Sequence, residues 1–184
     1  ILEDVFDKNP KINLENATRA PVTRQYVIES IQDNLTDDHL VLVETGDAWF
    51  NGLELRLPKK ARFEIQMQYG SIGWSVGATL GAQIALKDTK RVIALIGDGS
   101  FQMTAQELST MIRYELNPII ILMNNNSYGI EVQIHDGPYN EINNWAYSEL
   151  VNVFRGDNTE AKSRLVKTEA ELEEAIKEAL KTDA

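Results

Sequence analysis

Two short loops carry the residue types that hold a divalent cation against a phosphate. The first is Gly97-Asp98-Gly99-Ser100 and the second is Asn124-Asn125-Asn126-Ser127-Tyr128-Gly129. Together they offer hard oxygen: one carboxylate, several amides, hydroxyls and free backbone carbonyls. A single carboxylate among neutral oxygens suits Mg²⁺, which prefers octahedral oxygen and commonly borrows ligands from substrate phosphates. The glycines let backbone N–H groups approach an anion near a helix start, where the dipole favours negative charge. The combination argues for a metal-bridged diphosphate. Each loop alone is a common structural turn, and asparagine runs are common in loops. Their joint position after consecutive strands is what raises the signal.

That position follows from the elements around them. Arg91–Ile96 reads as a strand, Gly97–Ser100 as a tight turn, the stretch to Leu116 as a helix and Pro118–Met123 as a second strand. Such a βαβ unit crosses over right-handed and places its strands parallel and adjacent. Neighbouring strands lie about 4.8 Å apart, so both loops leave carboxyl ends that face one crevice. Thr104 with Glu107 has the spacing of a capping box, which predicts that the helix proper starts after Thr104.

The same reading extends along the chain. Val22, Tyr26, Val27, Ile31 and Leu35 recur at helical spacing, predicting a helix over Val22–Leu35. Leu40–Glu44 reads as a buried strand, Thr45–Lys60 as loop, and Arg62–Gln68 alternates like a strand. Trp74–Leu86 is helical in pattern, with Gly77 and Gly81 on one face. Two such glycines, each costing about 1 kcal/mol against alanine, imply a backbone packed closely there. Trp145–Phe154 reads as a helix and Arg164–Lys167 as a strand, and Thr168 with Glu171 caps a helix over Glu169–Lys181. Strands alternating with helices give an α/β fold, a parallel sheet with helices on both faces. Residues 1–20 read as a linker or arm from a preceding domain and 21–184 as one domain. The chain opens on Ile and stops after a helix, and both features lead us to expect a fragment truncated at its carboxyl end.

Composition narrows the partners. Lys and Arg total 18 against 28 Asp and Glu, a net charge of −10, which disfavours nucleic acid. No cysteine is present, so disulfides, thiol nucleophiles and thiolate metal sites are excluded. Apolar runs near Val92–Ile96 and Ile119–Met123 are far shorter than the ~18 residues that span a bilayer, so no membrane partner is expected. With no targeting pattern either, a cytoplasmic location is expected.

Gly97-Asp98-Gly99-Ser100 followed by Asn124-Asn125 resembles the thiamine-diphosphate motif of Gly-Asp-Gly, a helix and paired Asn. Glu44-Thr45-Gly46-Asp47-Ala48-Trp49-Phe50, Gly70-Ser71-Ile72-Gly73-Trp74, Tyr128-Gly129-Ile130-Glu131 and Ile134-His135-Asp136-Gly137-Pro138-Tyr139-Asn140 extend the likeness. Over about residues 20–180 the chain is similar to the pyruvate decarboxylase family of thiamine-diphosphate-dependent 2-oxo-acid decarboxylases. The resemblance implies the thiamine-diphosphate-binding fold, as the carboxyl-terminal domain of a three-domain enzyme.

Residue roles then follow from the resemblance. Asp98, the Asn125 side chain and the Ser127 carbonyl are implied Mg²⁺ ligands, with Ser127 where the family usually has Gly. Gly99 and Ser100 are implied to offer N–H groups to the diphosphate of thiamine diphosphate. Ile72 is the implied prop beneath the bent cofactor, although an isolated Ile by itself indicates core packing. The Gly70 carbonyl is the implied acceptor for the exocyclic amine, and Thr45, Gly46 and Asp47 the implied lining of the pyrimidine pocket. Ser71, Gly97, Tyr128, Gly129 and Ile130 complete the implied cofactor contacts.

Glu131 is the implied acid–base group, in a partly dry pocket between Ile130 and Val132. Read from its spacing alone, it is a surface Glu opening a helix over Tyr128–Ile134, favoured by the dipole. Trp49, Ile130 and Ile134 are implied to shape the substrate pocket, where bulk favours pyruvate over larger 2-oxo acids. His135 is read as structural.

The implied chemistry is non-oxidative decarboxylation of pyruvate to acetaldehyde and carbon dioxide, with the cofactor as electron sink. The family also needs an amino-terminal, pyrimidine-binding domain of a partner subunit, within a homodimer or homotetramer. No segment here matches that domain, so the chain alone is expected not to turn over. Competing readings are an indolepyruvate or phenylpyruvate decarboxylase, a related carboligase, and a non-catalytic module for cofactor binding or oligomerisation.

Overall fold

The computed structural model describes residues 18–157 and 160–181. Most of the arm expected over residues 1–20 therefore lies outside the described residues. Four strands form one parallel sheet: β1 (His39–Val43), β2 (Arg62–Ile65), β3 (Arg91–Gly97) and β4 (Ile119–Met123), in the order β2-β1-β3-β4. The chain moves from β1 to β2 on one side and then crosses to β3 on the other. This reversal opens a crevice beyond the carboxyl ends of β1 and β3, where open α/β sheets take their ligands. The predicted adjacency of β3 and β4 holds, with Gly97 opposite Met123 in register.

Every residue of β1 is buried, because the sheet is covered on both sides. Val41 and Val43 pack with Tyr26, Val27 and Ile31 of α1 (Arg24–Asn34), and with Leu172 and Ile176 of α8 (Glu169–Lys181). Leu40 and Leu42 face the other way, with Val76 of α3 (Trp74–Leu86), Phe101 of α4 (Asp98–Thr104) and Met111 of α5 (Glu107–Arg113). Strand alternation thus feeds two cores from one continuous apolar run. Thr23 caps α1 by accepting from the Tyr26 N–H. At α8 the predicted capping box forms: Thr168 N–H donates to Glu171 Oε2 at 3.0 Å, and Glu171 N–H to Thr168 Oγ1 at 3.4 Å.

Several expectations are corrected. Within Thr45–Lys60 the chain forms a helix, α2 (Asp47–Gly52). Gly46 supplies the backbone reversal at φ 101°, so the glycines there bound an element rather than forbid one. The helix after β3 begins at Asp98, with no intervening turn, and breaks at Ala105–Gln106 before α5. Thr104 does not cap α5; its hydroxyl donates to the Gly73 carbonyl at 2.7 Å. Strand β2 ends at Ile65, short of Gln68. Arg164–Lys167 is not a strand of the sheet. Only one antiparallel bridge, Thr168 to Pro21, follows it, while Arg164 and Lys162 reach Glu178.

Of the stretch Trp145–Phe154, Leu150–Phe154 is α-helical (α7), preceded by a 3-10 turn over Tyr147–Glu149. Gly77 and Gly81 have nothing within 4 Å of where a Cβ would stand, so no backbone of the described residues packs on that face of α3. No helix among the described residues is long and apolar enough to cross a membrane.

Candidate diphosphate and metal site

Asp98 stands where β3 becomes α4 and is 2% exposed. Its Oδ2 accepts the N–H of Asn125 at 3.1 Å and of Asn126 at 2.7 Å. Its Oδ1 accepts the Gly99 N–H at 2.9 Å. Burial raises the pKa of this carboxyl above its ordinary value, and the backbone N–H bonds oppose that rise. Gly99 therefore turns its N–H toward the carboxylate, and the expectation that it offers this group to a phosphate is not met in this conformation.

The loop after β4 is shaped to present oxygen. Asn126 takes the left-handed conformation, φ 63°, which asparagine tolerates better than most residues. Ser127 has no positive φ, so its backbone conformation accepts a side chain there. An antiparallel bridge ties Ser127 to Glu141, through Tyr128 N–H to the Asn140 carbonyl at 3.0 Å and Ile142 N–H to the Asn126 carbonyl at 3.4 Å. Those bonds flank Ser127, and its own carbonyl accepts none among the described residues. The Ser127 N–H donates to Asn125 Oδ1 at 3.2 Å.

Both loops open on one cavity of about 250 Å³. Thr45, Gly46, Asp47, Ile72, Gly97, Asp98, Gly99, Ser100, Asn125, Ser127, Tyr128, Gly129, Ile130 and Glu131 all line it. The structure thus brings together most of the residues singled out from sequence. Glycines make the fit close. A Cβ on Gly129 would lie 2.6 Å from Asn125 Nδ2 and 2.9 Å from Asp47 Oδ2. One on Gly99 would lie 2.5 Å from the Tyr128 ring. A buried carboxylate, an amide and a free carbonyl around this cradle form a donor set that fits Mg²⁺ sharing phosphate oxygens.

Other expected positions fall outside it. Gly70 (φ 57°) and Ser71 lead into the cavity wall at Ile72 without lining it, and the Ser71 N–H is held by Gln66 Oε1 at 3.3 Å. Trp49 stacks on Phe50 and does not line the cavity. Ile134, at the end of α6 (Gly129–Ile134), is 73% exposed and also off the cavity. Of the three residues expected to shape a substrate pocket, only Ile130 lines the cavity. Glu131 is exposed at the rim rather than enclosed in a dry pocket. His135 contacts Tyr139 through its ring and Nδ1, away from the lining.

Three further contributors were not legible from sequence. Arg24 lines the cavity from the start of α1 and pairs with Glu54 at 3.2 Å. Asn51 lines it one helical turn after Asp47, 1% exposed, with no partner for Oδ1 among the described residues. Recognising α2 would have placed Asn51 and Asp47 on one face. Glu44, at the end of β1, is fully buried and gathers four hydrogen bonds from the two neighbouring segments.

Comparison with known proteins agrees with this geometry. Residues 45–184 match the family described as thiamine pyrophosphate enzyme, C-terminal TPP binding domain. The chain is 54% identical over 156 residues to pyruvate decarboxylase 1 of Oryza sativa subsp. indica, covering 85% of this chain and 26% of the relative. It is 53% identical over 167 residues to pyruvate decarboxylase 2 of Oryza sativa subsp. japonica, covering 91% and 27%. With pyruvate decarboxylase of Neurospora crassa it shares 48% over 157 residues, covering 85% and 27%. The chain thus spans little more than a quarter of the length of these relatives.

Proposed function

We propose, since the chain belongs to the thiamine pyrophosphate enzymes and carries their C-terminal TPP binding domain, that it holds the diphosphate and metal of a pyruvate decarboxylase. The reaction is the non-oxidative conversion of pyruvate to acetaldehyde and carbon dioxide. One observation carries the site assignment: Asp98 at the end of β3 and the Asn125–Ser127 loop after β4 are hydrogen-bonded to each other over a single cavity. The relatives' names supply the substrate.

Thiamine diphosphate, when bound, supplies the electron sink that decarboxylation of a 2-oxo acid requires. Asp98, the Asn125 amide and the free Ser127 carbonyl are the groups that hold Mg²⁺. Ser100 and the glycine-lined floor face the diphosphate. Thr45, Gly46, Asp47 and Ile72 line the same cavity from the segment after β1 and the turn before α3 and would hold the cofactor's ring system, with Asp47 beside Gly129 and Asn125. Glu131, at the rim, gives and takes protons on the substrate side.

The cavity is open in this chain alone. Ile72, in its wall, is 40% exposed. That apolar surface favours closure by another domain, which in this reading is the pyrimidine-binding domain of a partner subunit in a homodimer or homotetramer. The test uses the full-length protein: acetaldehyde from pyruvate, requiring both thiamine diphosphate and Mg²⁺. Activity independent of either one overturns the cofactor assignment. Turnover of indolepyruvate or phenylpyruvate in preference to pyruvate overturns the substrate.

A further inference from the structure

Glu44 is 0% exposed, yet it lies at the carboxyl end of β1 beside the cavity wall. Its Oε2 accepts three hydrogen bonds: from Gly73 N–H at 3.0 Å, Ser75 N–H at 3.1 Å and Ser75 Oγ at 2.6 Å. Its Oε1 accepts the Thr45 N–H at 2.7 Å. Gly73 and Ser75 flank the first residue of α3, and the helix has no cap from its own N-terminal residue, Gly73. A carboxylate from another element thus satisfies helix-end donors that are otherwise orphaned, and it suits the positive end of the helix dipole.

The hydrogen bonds join two stretches that meet over the cavity. One is Thr45–Asp47, which continues from Glu44 itself. The other is the turn through Ile72 and Gly73, where φ is 85° and the Gly73 carbonyl is held by Thr104. Thr45 Cγ2 lies 3.7 Å from the Cβ position of Gly70. We propose that Glu44 is a positioning residue for the cofactor's ring system: it fixes Thr45 and Ile72 relative to each other. The diphosphate end is fixed separately by Asp98. The proposal rests on the function proposed above and adds a residue to it.

All four partners of Glu44 are donors. Glutamine keeps the shape but must aim an NH₂ at the Thr45 N–H or, if turned over, at the three donors from Gly73 and Ser75. A donor left facing a donor loses its hydrogen bond while staying buried. The wall at Thr45 or at Ile72 must then shift, whereas the Asp98–Asn125–Asn126 bonds share no partner with Glu44.

The experiment compares two probes on the full-length protein: thiamine diphosphate with Mg²⁺, and inorganic pyrophosphate with Mg²⁺. Binding is measured by calorimetry for wild type, Glu44→Gln, Ser75→Ala and Asp98→Ala. Glu44→Gln is expected to weaken thiamine diphosphate by about tenfold or more and to leave pyrophosphate unchanged. Ser75→Ala, which removes a single donor, shows a smaller loss of the same kind and decides the matter if Glu44→Gln does not fold. Asp98→Ala weakens both probes. Unchanged thiamine diphosphate binding in the folded Glu44 or Ser75 variants overturns the positioning role, as does an equal loss of both probes. A wild-type protein that binds neither probe overturns the functional reading instead.

Discussion

Asp98 Oδ2 accepts the backbone N–H of Asn126 at 2.7 Å, so the carboxylate at the end of one strand fixes the loop leaving the next. The same oxygen reaches the Asn125 N–H, and the group is almost wholly buried. Asp98 is therefore both a candidate metal ligand and a brace for the other ligands. Its replacement must be read on both accounts.

Asp98→Ala leaves the N–H groups of Gly99 and Asn125 without the acceptor they have in this structure, while that of Asn126 keeps Asn124 Oδ1 at 3.2 Å. Gly99 is buried and Asn125 is exposed, so the full penalty of about 1–3 kcal/mol for a buried unpaired donor falls on Gly99, and the metal-free protein should melt earlier. Mg²⁺-dependent binding of thiamine diphosphate should be lost as well. Melting curves and calorimetry on the full-length protein check the two parts separately. Unchanged cofactor binding removes the metal assignment even if stability falls.

Glu131 lines the cavity rim from the first turn of α6, tied to Tyr128 and His135 through its backbone, and its side chain makes no hydrogen bond or ion pair among the described residues. Glu131→Gln should therefore keep cofactor binding and stability while lowering turnover by ~10²–10⁴, the usual range for a lost acid–base group. Steady-state kinetics with pyruvate decide it. A near wild-type rate assigns Glu131 to the surface.

Gly99 has no room for a side chain, because a Cβ there meets the Tyr128 ring at 2.5 and 2.7 Å. Gly99→Ala should destabilise the protein by about 1–3 kcal/mol, as overpacking does, and weaken cofactor binding by displacing Tyr128. Adding Tyr128→Ala should restore part of the stability, a coupling that a double-mutant cycle measures. Additive losses would show that the ring is not the obstacle.

His39 opens β1, is 7% exposed, and accepts the Thr36 N–H at Nδ1. Burial chiefly, with Arg91 and Lys90 nearby, pushes its pKa below the ordinary 6.5, and Asp38 opposes them. In the interval just below 6.5 the unfolded chain binds more protons than the folded one. Stability therefore rises with pH there and is lost on acidification. Urea midpoints from neutral to about pH 5 should fall more steeply for wild type than for His39→Gln. Identical slopes would remove His39 as the source.

Much of this architecture could be read directly. β1, β3 and β4 are apolar runs of strand length, and α3 has the bounds that its pattern predicts. The two oxygen-rich loops meet because a right-handed crossover leaves them no other place. What escaped has physical reasons. In α2 the signals of Gly46 and of Asn51-Gly52 mark helix ends, but on so short a segment they resemble a broken loop. Arg164–Lys167 reads like a strand, yet the bridge that follows it, at Thr168, runs to Pro21 and not to the sheet. Glu44 looks like the polar end of a strand, and only the fold shows the donors that converge on it from α3. Local periodicity does not encode which distant backbone a side chain will serve.

Strand β4, Ile-Ile-Ile-Leu-Met, is apolar toward both cores: Ile121 and Met123 on one, Ile120 and Leu122 on the other. It runs straight into three successive asparagines. A slip of one position along β3 would exchange its two faces at little hydrophobic cost and would still set an asparagine beside Asp98. Neither the strand nor the amide run can therefore choose the alignment by itself. The choice falls to the features that a slip would break: the paired grip of Asp98 on Asn125 and Asn126, the seat of Tyr128 against Gly99, and the bridge from Ser127 to Glu141. The loop proposed to receive the metal is thus also the ratchet pawl that sets this edge strand of the described sheet in its notch.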